Sequence, residues 1–406
     1  MRSVIALYAQ LWAGQENLPI DQFAGAGASA FKVEGDWAHV LYATQRFPNR
    51  VVVGRDFAQL EAEHERNGDK PSAAFAEIYF KKHKAFFKQA SDAYWEIWPN
   101  EPQVDYEKLP DLNGYWVRMA QLFYENGLKL AGPSLSAETR MWEPDPNDPS
   151  HKPKIEYLRP AMRLFKKFAF LFDVHGYFPF LNADRLPPSW PDDFRQAMIA
   201  AIPDYLYPHR KIALMLGDDM PNVFYGEFGA DANKVNNLIF CGWRDVPGLD
   251  YDLYLKQLEE ADKALAADPL VTGAAVYLWC KTTDAEPDKA AYDVSSKGRN
   301  DPASISDGLV QYVWAHPGAD YIPGPALPPV TPPPVEPPPA PNFPAWYRVY
   351  TKGSRLRKRL APSTSGEIVE LQADGSEILV ESIDMNNWAK EKGAGLYASA
   401  DYLVRK

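Results

Sequence analysis

Two glutamates, Glu101 and Glu227, each follow a short apolar segment of the kind that forms a buried strand. Glu101 lies in W-E-I-W-P-N-E-P-Q (residues 95–103), where Pro99 ends the strand because proline cannot continue a hydrogen-bonded ladder. Glu227 lies in V-F-Y-G-E-F-G (residues 223–229). A carboxyl group just past a buried strand stands where barrel enzymes keep their reactive groups. The two segments predict a pair of carboxylates that face one cavity.

Two facing carboxyl groups are the chemical requirement for cleaving an acetal. One protonates the leaving oxygen, and the other attacks or stabilises the anomeric carbon. At a separation of about 5 Å the pair gives a covalent intermediate and retention of configuration. Mutual repulsion raises the pKa of one carboxyl, so that both protonation forms coexist near neutrality. We expect the carboxyls of Glu101 and Glu227 within about 6 Å of each other at the C-terminal face of a barrel. Taken singly, each glutamate also fits a solvated loop.

Predicted strands alternate with predicted helices along most of the chain. The helix over residues 111–126 is the clearest, with an apolar face at helical spacing and Gly127 as its stop. Eight strand–helix units predict a parallel sheet closed into a (β/α)8 TIM barrel. An open doubly wound sheet is the alternative, and no glycine-rich dinucleotide turn follows the first strand to support it. The predicted strands are 4–12, 28–33, 50–53, 94–98, 128–132, 171–174, 222–225 and 271–279, and the helices are 71–90, 111–126, 155–170, 192–205, 251–266 and 304–314.

The composition limits the classes of function. The 406 residues carry a net charge of −11, which argues against nucleic acid as a partner because phosphate binding favours a basic surface. No apolar run reaches the roughly 18 residues of a membrane helix. Cys241 and Cys280 do not make a disulfide framework, and a single bridge between them stays open. The first twelve residues resemble a strand more than a signal peptide, which leaves the route of export open.

A proline-rich segment divides the chain. Residues 323–344 predict a polyproline II linker of roughly 60 Å, at about 3.1 Å per residue, between a catalytic domain (1–322) and a tail (345–406). The tail shows short alternating strands at 347–350, 367–371, 377–382, 388–390 and 402–404, separated by turn signals such as Asp374-Gly375. These features predict a small all-β barrel.

The pattern N-E-P after strand four and G-E-F-G at strand seven resembles the clan A glycoside hydrolases, which are (β/α)8 enzymes. The resemblance covers most of residues 1–320. It implies that Glu101 is the general acid/base, that Glu227 is the nucleophile, and that Asn100 holds the sugar 2-hydroxyl.

Further residues fit the same resemblance. H-G-Y (175–177) at strand six resembles the family's H-x-Y, which implies that His175 and Tyr177 hydrogen-bond the nucleophile and the substrate. Trp279 in Y-L-W resembles the family's sugar-stacking tryptophan, although barrel packing explains it equally, and Trp98 has the same two explanations. Arg55 departs from the pattern, because the family's arginine beside the nucleophile comes from strand two and Arg55 ends strand three.

Neither a metal nor a cofactor is expected. The cluster E-A-E-H-E-R (61–66) lacks ligand spacing and predicts a solvated face. The acidic residues Asp145, Asp148 and Asp218-Asp219 lack the spacing of a dedicated calcium loop. Lys32 and Ser134, at strand ends, are weaker candidates for contact with a sugar.

The tail resembles the bacterial SH3-like domains. L-R-K-R-L-A-P-S-T-S-G-E-I-V (356–369) is similar to their L-N-V-R-x-x-P pattern, although R-K stands where N-V is usual. The resemblance implies a domain that holds cell-wall peptide or glycan near a hydrolase. The basic residues Lys352, Arg355, Arg357, Lys358 and Arg359 fit either contact with an acidic polymer or the protection of an edge strand by charge.

The sequence therefore favours a retaining glycoside hydrolase that cleaves a polysaccharide, either a cell-wall polymer or another β-glycan. Its partners would be the glycan substrate and a cell-wall polymer bound by the tail, and it would act as a monomer, extracellular or associated with the cell wall, in the manner of a lysin. A non-catalytic carbohydrate-binding protein on the same scaffold is the alternative. A barrel enzyme of other chemistry is less favoured, because phosphate-binding glycines and metal-ligand histidine pairs are missing from the sequence.

Overall fold

The chain forms two compact units, Met1–Leu327 and Pro328–Lys406. The computed structural model describes residues 3–11, 15–102, 105–145, 148, 150–178, 180–182, 186, 188–189, 191–230, 243–246, 248–279, 304–318, 344–349, 351, 355–361, 368–383, 388–399 and 403–405. The predicted linker, apart from Pro344, and both cysteines lie outside the described residues.

The first unit contains a closed barrel of eight parallel strands, which confirms the predicted (β/α)8 architecture. Each strand pairs with its neighbour in chain order, and β1 pairs with β8 to close the circle. The strands are β1 Ile5–Leu11, β2 Ala30–Gly35, β3 Val51–Arg55, β4 Tyr94–Glu96, β5 Lys129–Ser136, β6 Leu171–Tyr177, β7 Asn222–Gly229 and β8 Val271–Trp279. All eight strands were predicted, and the differences lie at their ends.

Helices pack around the barrel. They are α1 Leu18–Ala26, α2 Trp37–Arg46, α3 Phe57–Leu60, α4 Ala62–Asn67, α5 Ala73–Phe87, α6 Leu109–Glu125, α7 Lys154–Lys167, α8 Asp192–Leu206, α9 Pro208–Leu216, α10 Tyr251–Ala266 and α11 Ile305–Ala315. The sequence did not predict α1 to α4 or α9. In α1, buried Ile20 and Phe23 hold the helix on the barrel, and Gly27 ends it at a φ of 98°.

Side chains alternate between the inside and the outside of the barrel along each strand. Small and aromatic residues such as Ala6, Tyr94 and Phe224 fill the lower interior, while the other face of each strand packs under the helices. Higher in the barrel, the buried side chains are polar: Lys32, Glu96, Asp173 and His175. This polar level lies directly beneath the C-terminal ends of the strands, where the site is built.

The second unit is an antiparallel sheet of seven strands in the order β11-β10-β14-β13-β12-β9-β15. The strands are β9 Ala345–Val349, β10 Arg355–Arg359, β11 Ile368–Ala373, β12 Glu377–Ile383, β13 Trp388–Glu391, β14 Tyr397–Ser399 and β15 Leu403–Arg405. The predicted all-β tail is thus present, and its likeness to SH3 domains stays a prediction. No helix of the described residues, in either unit, is long and apolar enough to cross a membrane.

The basic segment of the tail is not an edge strand. β10 lies between β11 and β14, so charge on it does not protect an edge. Lys358 is buried, and its Nζ lies 2.9 Å from Glu391 Oε2 and 3.3 Å from Glu370 Oε2. Arg355 and Arg357 remain exposed on β10, and Lys352 lies outside the described residues.

Candidate active site

The two predicted glutamates meet at the C-terminal face of the barrel. Glu101 follows β4, and Glu227 lies near the end of β7. One carboxylate oxygen of each, together with a ring nitrogen of His175, lie within 4.8 Å of one another. The expected separation below about 6 Å is confirmed. The Glu101 side chain is 42% exposed and that of Glu227 is 13% exposed, so Glu101 stands nearer the open side of the site.

Two donors hold the carboxylate of Glu227, one at each oxygen. Arg55 Nη1 donates to Oε1 at 3.1 Å, and the Tyr177 hydroxyl donates to Oε2 at 2.9 Å. Lys32 Nζ adds a positive charge 4.0 Å from Oε1. These partners fix the direction of the carboxylate and place two positive charges beside it.

Arg55 approaches Glu227 although it comes from β3 and not from β2. Its guanidinium is clamped by Glu61, with 2.8 Å from Nε to Oε1 and 3.1 Å from Nη2 to Oε2, and its Nε lies 3.4 Å from Glu96 Oε1. Burial alone would lower the pKa of Arg55, but Glu61 and the neighbouring acids raise it well above its usual value. The arginine therefore carries a permanent charge beside Glu227.

The prediction that residues 61–66 form a solvated face is wrong for two of these residues. Glu61 is fully buried because it is the counter-ion of buried Arg55, and His64 is buried against His83. Charge density in the sequence did not reveal this, since it does not show which acid turns inward.

His175 bridges the two glutamates. Its Nδ1 lies 2.7 Å from Glu101 Oε1 and 3.6 Å from Glu227 Oε2. Burial opposes the charged ring, but Glu227 and Glu101 outweigh burial and raise the pKa of His175 to about 9. Burial would likewise raise the pKa of Glu101, yet the hydrogen bond and charge of His175 lower it. Repulsion between the carboxyls therefore does not set the pKa of Glu101, contrary to the expectation from the sequence, because an imidazolium stands between them.

The backbone at Glu101 is unusual. Its φ is 43°, in the left-handed region that residues with a side chain seldom adopt, at a cost of order 1–3 kcal/mol. The Glu101 N–H donates to the carbonyl of Ser134 at 2.9 Å. The Tyr115 hydroxyl donates to the carbonyl of Trp98 at 2.6 Å, just before the turn. Contacts from β5 and α6 thus hold the short turn that presents Glu101.

A buried layer of charge supports the site from below. Lys32 Nζ and Glu96 Oε2 lie 2.6 Å apart, and both side chains are fully buried. Burial opposes ionisation of Glu96, but Lys32 and Arg55 bring its pKa down to about 2. Burial and the charge of Glu96 raise the pKa of nearby Asp173 to about 7. Lys32 and Ser134, the weaker candidates for sugar contact, are both fully buried, Lys32 beside Glu96 and Ser134 beside Asp173.

The other predicted binding residues differ in their surroundings. Asn100 Oδ1 is buried and has no hydrogen-bond partner among the described residues, which leaves it able to accept from a substrate hydroxyl. Trp98 is 5% exposed and packs against Phe75, Tyr79 and Tyr115, an arrangement typical of core packing. Trp279 ends β8, but its side chain lies outside the described residues, so its stacking role stays a prediction.

Sequence reasoning missed a polar group at the ends of β1 and β2. The Tyr8 hydroxyl donates to Glu34, Gln10 Nε2 donates to Glu34 Oε1 at 3.3 Å, and Arg55 Nη1 reaches the Tyr8 oxygen at 3.4 Å. The sequence did contain a sign of this polar group. In the two apolar strands L-Y-A-Q-L and F-K-V-E-G, every second residue is polar. Such alternation marks side chains that face the barrel interior.

Two trios of side chains bring three metal-ligating atoms close together: Glu96, Asp173 and His175, and Glu101, His175 and Glu227. Lys32 already neutralises Glu96 of the first trio, and Arg55 lies 3.1 Å from Glu227 of the second. These positive charges disfavour a further cation in either place.

Comparison with known proteins shows no matching family model and no matching curated sequence. Solved structures do match. A GH2 beta-galacturonidase from Eisenbergiella tayi has a TM-score of 0.44 at 11% identity and covers 79% of this chain and 52% of its own. A GH5-4 broad specificity endoglucanase from Clostridium acetobutylicum has a TM-score of 0.40 at 13% identity, with coverages of 77% and 99%. A family 5 xyloglucanase from Paenibacillus pabuli has a TM-score of 0.41 at 11% identity, with coverages of 78% and 98%.

Proposed function

We propose that this chain is a retaining glycoside hydrolase that cleaves a β-linked polysaccharide by double displacement. The observation that carries the proposal is the pair Glu101 and Glu227, with carboxylate oxygens within 4.8 Å at the C-terminal face of the barrel. A separation near 5 Å favours retention, since an inverting pair needs room for a water between carboxylate and sugar.

Glu227 is the nucleophile in this proposal. Its carboxylate is held by Arg55 at 3.1 Å and by Tyr177 at 2.9 Å, so its attacking oxygen is fixed before substrate enters. In the first step a bond forms between Glu227 and the anomeric carbon, while the bond from that carbon to the leaving oxygen breaks. In the second step water attacks the anomeric carbon and releases Glu227.

Glu101 is the acid and then the base. It protonates the leaving oxygen in the first step and takes a proton from the attacking water in the second. Before substrate binds, the proton that Glu101 will donate lies on His175. The charge of Glu227, acting against burial, is the main cause that raises the pKa of His175 to about 9. The 2.7 Å contact between His175 Nδ1 and Glu101 Oε1 is the path by which that proton reaches Glu101 as bond cleavage begins.

The remaining assignments concern the polymer. Asn100 accepts a hydrogen bond from the sugar 2-hydroxyl, and Trp279 stacks on a sugar face. The all-β tail resembles a wall-binding SH3-like domain and tethers the enzyme to cell-wall or other β-glycan, so that it acts outside the cell or at the wall.

The direct test is turnover. The full chain is incubated with 2,4-dinitrophenyl β-glycosides, including the glucoside, cellobioside and N-acetylglucosaminide, and with purified cell walls and soluble β-glucans. Release of reducing ends is measured, and proton NMR follows the anomer first formed. We expect at least one substrate to be cleaved with the β-anomer appearing first. An α-anomer as first product contradicts double displacement.

A carbohydrate-binding protein without turnover is the second candidate. It is favoured by the lowered pKa of Glu101, because His175 keeps that carboxyl ionised in the free site. The two proposals differ in one measurement. Tight binding of a glycan without release of reducing ends, on every substrate of the panel, supports the binding protein and excludes the hydrolase.

A further inference from the structure

Asp173 is a buried carboxyl group that the proposed reaction does not use. It lies on β6, two residues before His175, and is fully buried. Its Oδ2 accepts from Ser134 Oγ at 2.8 Å, and its Oδ1 accepts from the Gly226 N–H at 2.8 Å. One side chain therefore joins three neighbouring strands, β5, β6 and β7.

Both contacts are made where a neighbouring strand is irregular. On β5, Gly132 is opposite Phe172 and Leu135 is opposite Val174, so Pro133 and Ser134 together face Asp173. On β7, Tyr225 is opposite Val174 and Glu227 is opposite His175, so Gly226 is an extra residue. Each is a bulge, in which one added residue changes the direction of the side chains that follow.

The bulge on β7 aims Glu227 at the site. Phe224 faces the barrel interior and Tyr225 packs outward under the helices. In a regular strand of the same sequence, strict alternation would turn Glu227 outward, like Tyr225. Because Gly226 forms a bulge, Glu227 instead faces inward and meets Arg55 and Tyr177.

The bulge on β5 supports Glu101. The carbonyl of Ser134 accepts the N–H of Glu101 at 2.9 Å, and this bond holds the residue at its positive φ of 43°. A conformation of that kind persists only where the surroundings fix it. Asp173 fixes Ser134 through its hydroxyl.

The space around the Asp173 carboxyl is closed. A Cβ built on Gly226 would lie 2.7 Å from Asp173 Oδ2 and nearer still to Oδ1. Glycine at position 226 and aspartate at position 173 are therefore fitted to each other, and only a residue without a side chain leaves the N–H free to reach the carboxyl.

We propose that Asp173 is a positioning residue that braces both bulges and thereby sets the distance between Glu101 and Glu227. Its effect on turnover rests on the proposed function, whereas the brace itself does not. Because a misplacement of about 1 Å can cost roughly 10²-fold in rate, loss of the brace acts on kcat more than on KM.

The test compares D173A, D173N and the control D262A in the full chain. Asp262 is a matched buried carboxylate at the opposite end of the barrel, where it accepts from Val4 N–H at 2.7 Å and from the Tyr312 hydroxyl at 2.9 Å. On the dinitrophenyl glycoside that wild type cleaves best, we expect D173A to lower kcat about 10²-fold with KM within about threefold. D173N keeps one oxygen for Gly226 and restores most of kcat. D262A lowers the melting temperature without this loss of kcat.

A second readout needs no substrate. Hydrogen exchange of the Gly226 and Glu101 amides is expected to accelerate in D173A and to stay slow in D173N and D262A. If exchange accelerates in D173A although the protein cleaves no glycoside, the result supports the bracing role of Asp173 and contradicts only the proposal that the protein is a hydrolase. Unchanged exchange in D173A, or a kcat loss equal to that of D262A, overturns the brace.

A double-mutant cycle covers the case in which D173A folds poorly. G226A should be severely destabilising alone, because its Cβ meets the carboxyl, and D173N should not relieve it. In the D173A background the added methyl has room, so the combined loss of melting temperature is smaller than the sum of the two. If the two losses of melting temperature are additive, the close fit between Gly226 and Asp173 is contradicted.

Discussion

At the scale of single residues, the two glutamates differ in what holds them. The carboxylate of Glu227 accepts hydrogen bonds from the charged guanidinium of Arg55 and from the Tyr177 hydroxyl. Glu101 instead contacts a titratable ring, that of His175. The fixed donors orient the Glu227 carboxylate, whereas Glu101 lies beside an imidazole with which it can exchange a proton. This difference supports our proposal that Glu227 is the nucleophile and Glu101 the acid/base.

The assignment predicts different losses in two variants. E227Q removes the attacking charge, so all substrates should stall whatever their leaving group. E101Q removes the acid, but an activated aryl leaving group needs little protonation, so the glycosyl-enzyme should form and accumulate. Pre-steady-state release of dinitrophenol, with mass spectrometry of the intact protein, distinguishes the two.

Azide supplies the complementary control. Because it needs no base, it should rescue E101Q and give a glycosyl azide of retained configuration, while a small variant such as E227A should give the inverted azide. Turnover unchanged in both variants would show that Glu101 and Glu227 are not the catalytic pair.

His175 also predicts the pH dependence of stability. Its pKa is raised from 6.5 to about 9 chiefly by Glu227 against burial, so its contribution is complete below about pH 6.5 and is lost as pH rises through about 9. Melting temperature should fall over that window in wild type and fall less in H175Q. The difference between the two proteins at about pH 6 and about pH 10 is the measurement, and equal slopes would contradict the raised pKa.

The sequence revealed the outer residues of the site but not its inner charges. Glu101, Glu227, His175 and Tyr177 were found because each follows or ends an apolar strand in a recognisable pattern. Glu96 was missed because its partner Lys32 is distant in sequence, and Glu61 was missed because a run of charges does not show which acid turns inward to meet Arg55. Pairing of buried charges is decided by tertiary packing, and one strand read alone does not contain it.

At the scale of elements, strands were predicted better than helices. β-branched and aromatic runs identify buried parallel strands. The short helices α3 and α4 have no apolar stripe long enough to give a helical period, and they form because Leu60, Glu61 and His64 are buried. The two bulges that aim the glutamates are invisible in the sequence, since an extra residue shows only once the partner strand is known.

A histidine pair between α4 and α5 predicts acid sensitivity. His64 Nε2 lies 3.0 Å from His83 Nε2, and His64 Nδ1 lies 2.9 Å from Asp69 Oδ2. Burial, then the charges of His64 and Lys82, lower the pKa of His83 from 6.5 to about 4. The unfolded chain therefore binds a proton first, and stability is lost as pH falls from about 6.5 towards 4.

H83Q should reduce that loss, and the measurement is the melting temperature at about pH 7 and about pH 4.5. His151, which is partly exposed beside Asp145, provides the control variant H151Q. An identical acid response in wild type and H83Q would contradict a neutral buried His83.

At the scale of the whole molecule, the chain separates into two compact units, each with its own apolar core. A unit with its own core is expected to fold alone. The barrel core includes residues from β1 to α11, and the described residues of the candidate site all belong to the first unit. We expect the tail to contribute by holding the enzyme at its polymer.

Truncation after Gly324 should therefore leave a folded barrel that cleaves soluble dinitrophenyl glycosides at the wild-type rate. Activity on insoluble polymer should fall, because a tethered enzyme has a higher effective concentration at its substrate. The matched full-length variant R355A/R357A removes the two exposed arginines of β10 and tests whether charge carries the attachment. If it does, pull-down with acidic polymer weakens and the salt dependence of binding flattens. Polymer binding that survives truncation would exclude tethering by the tail, and loss of soluble activity on truncation would mean that the two units do not fold independently.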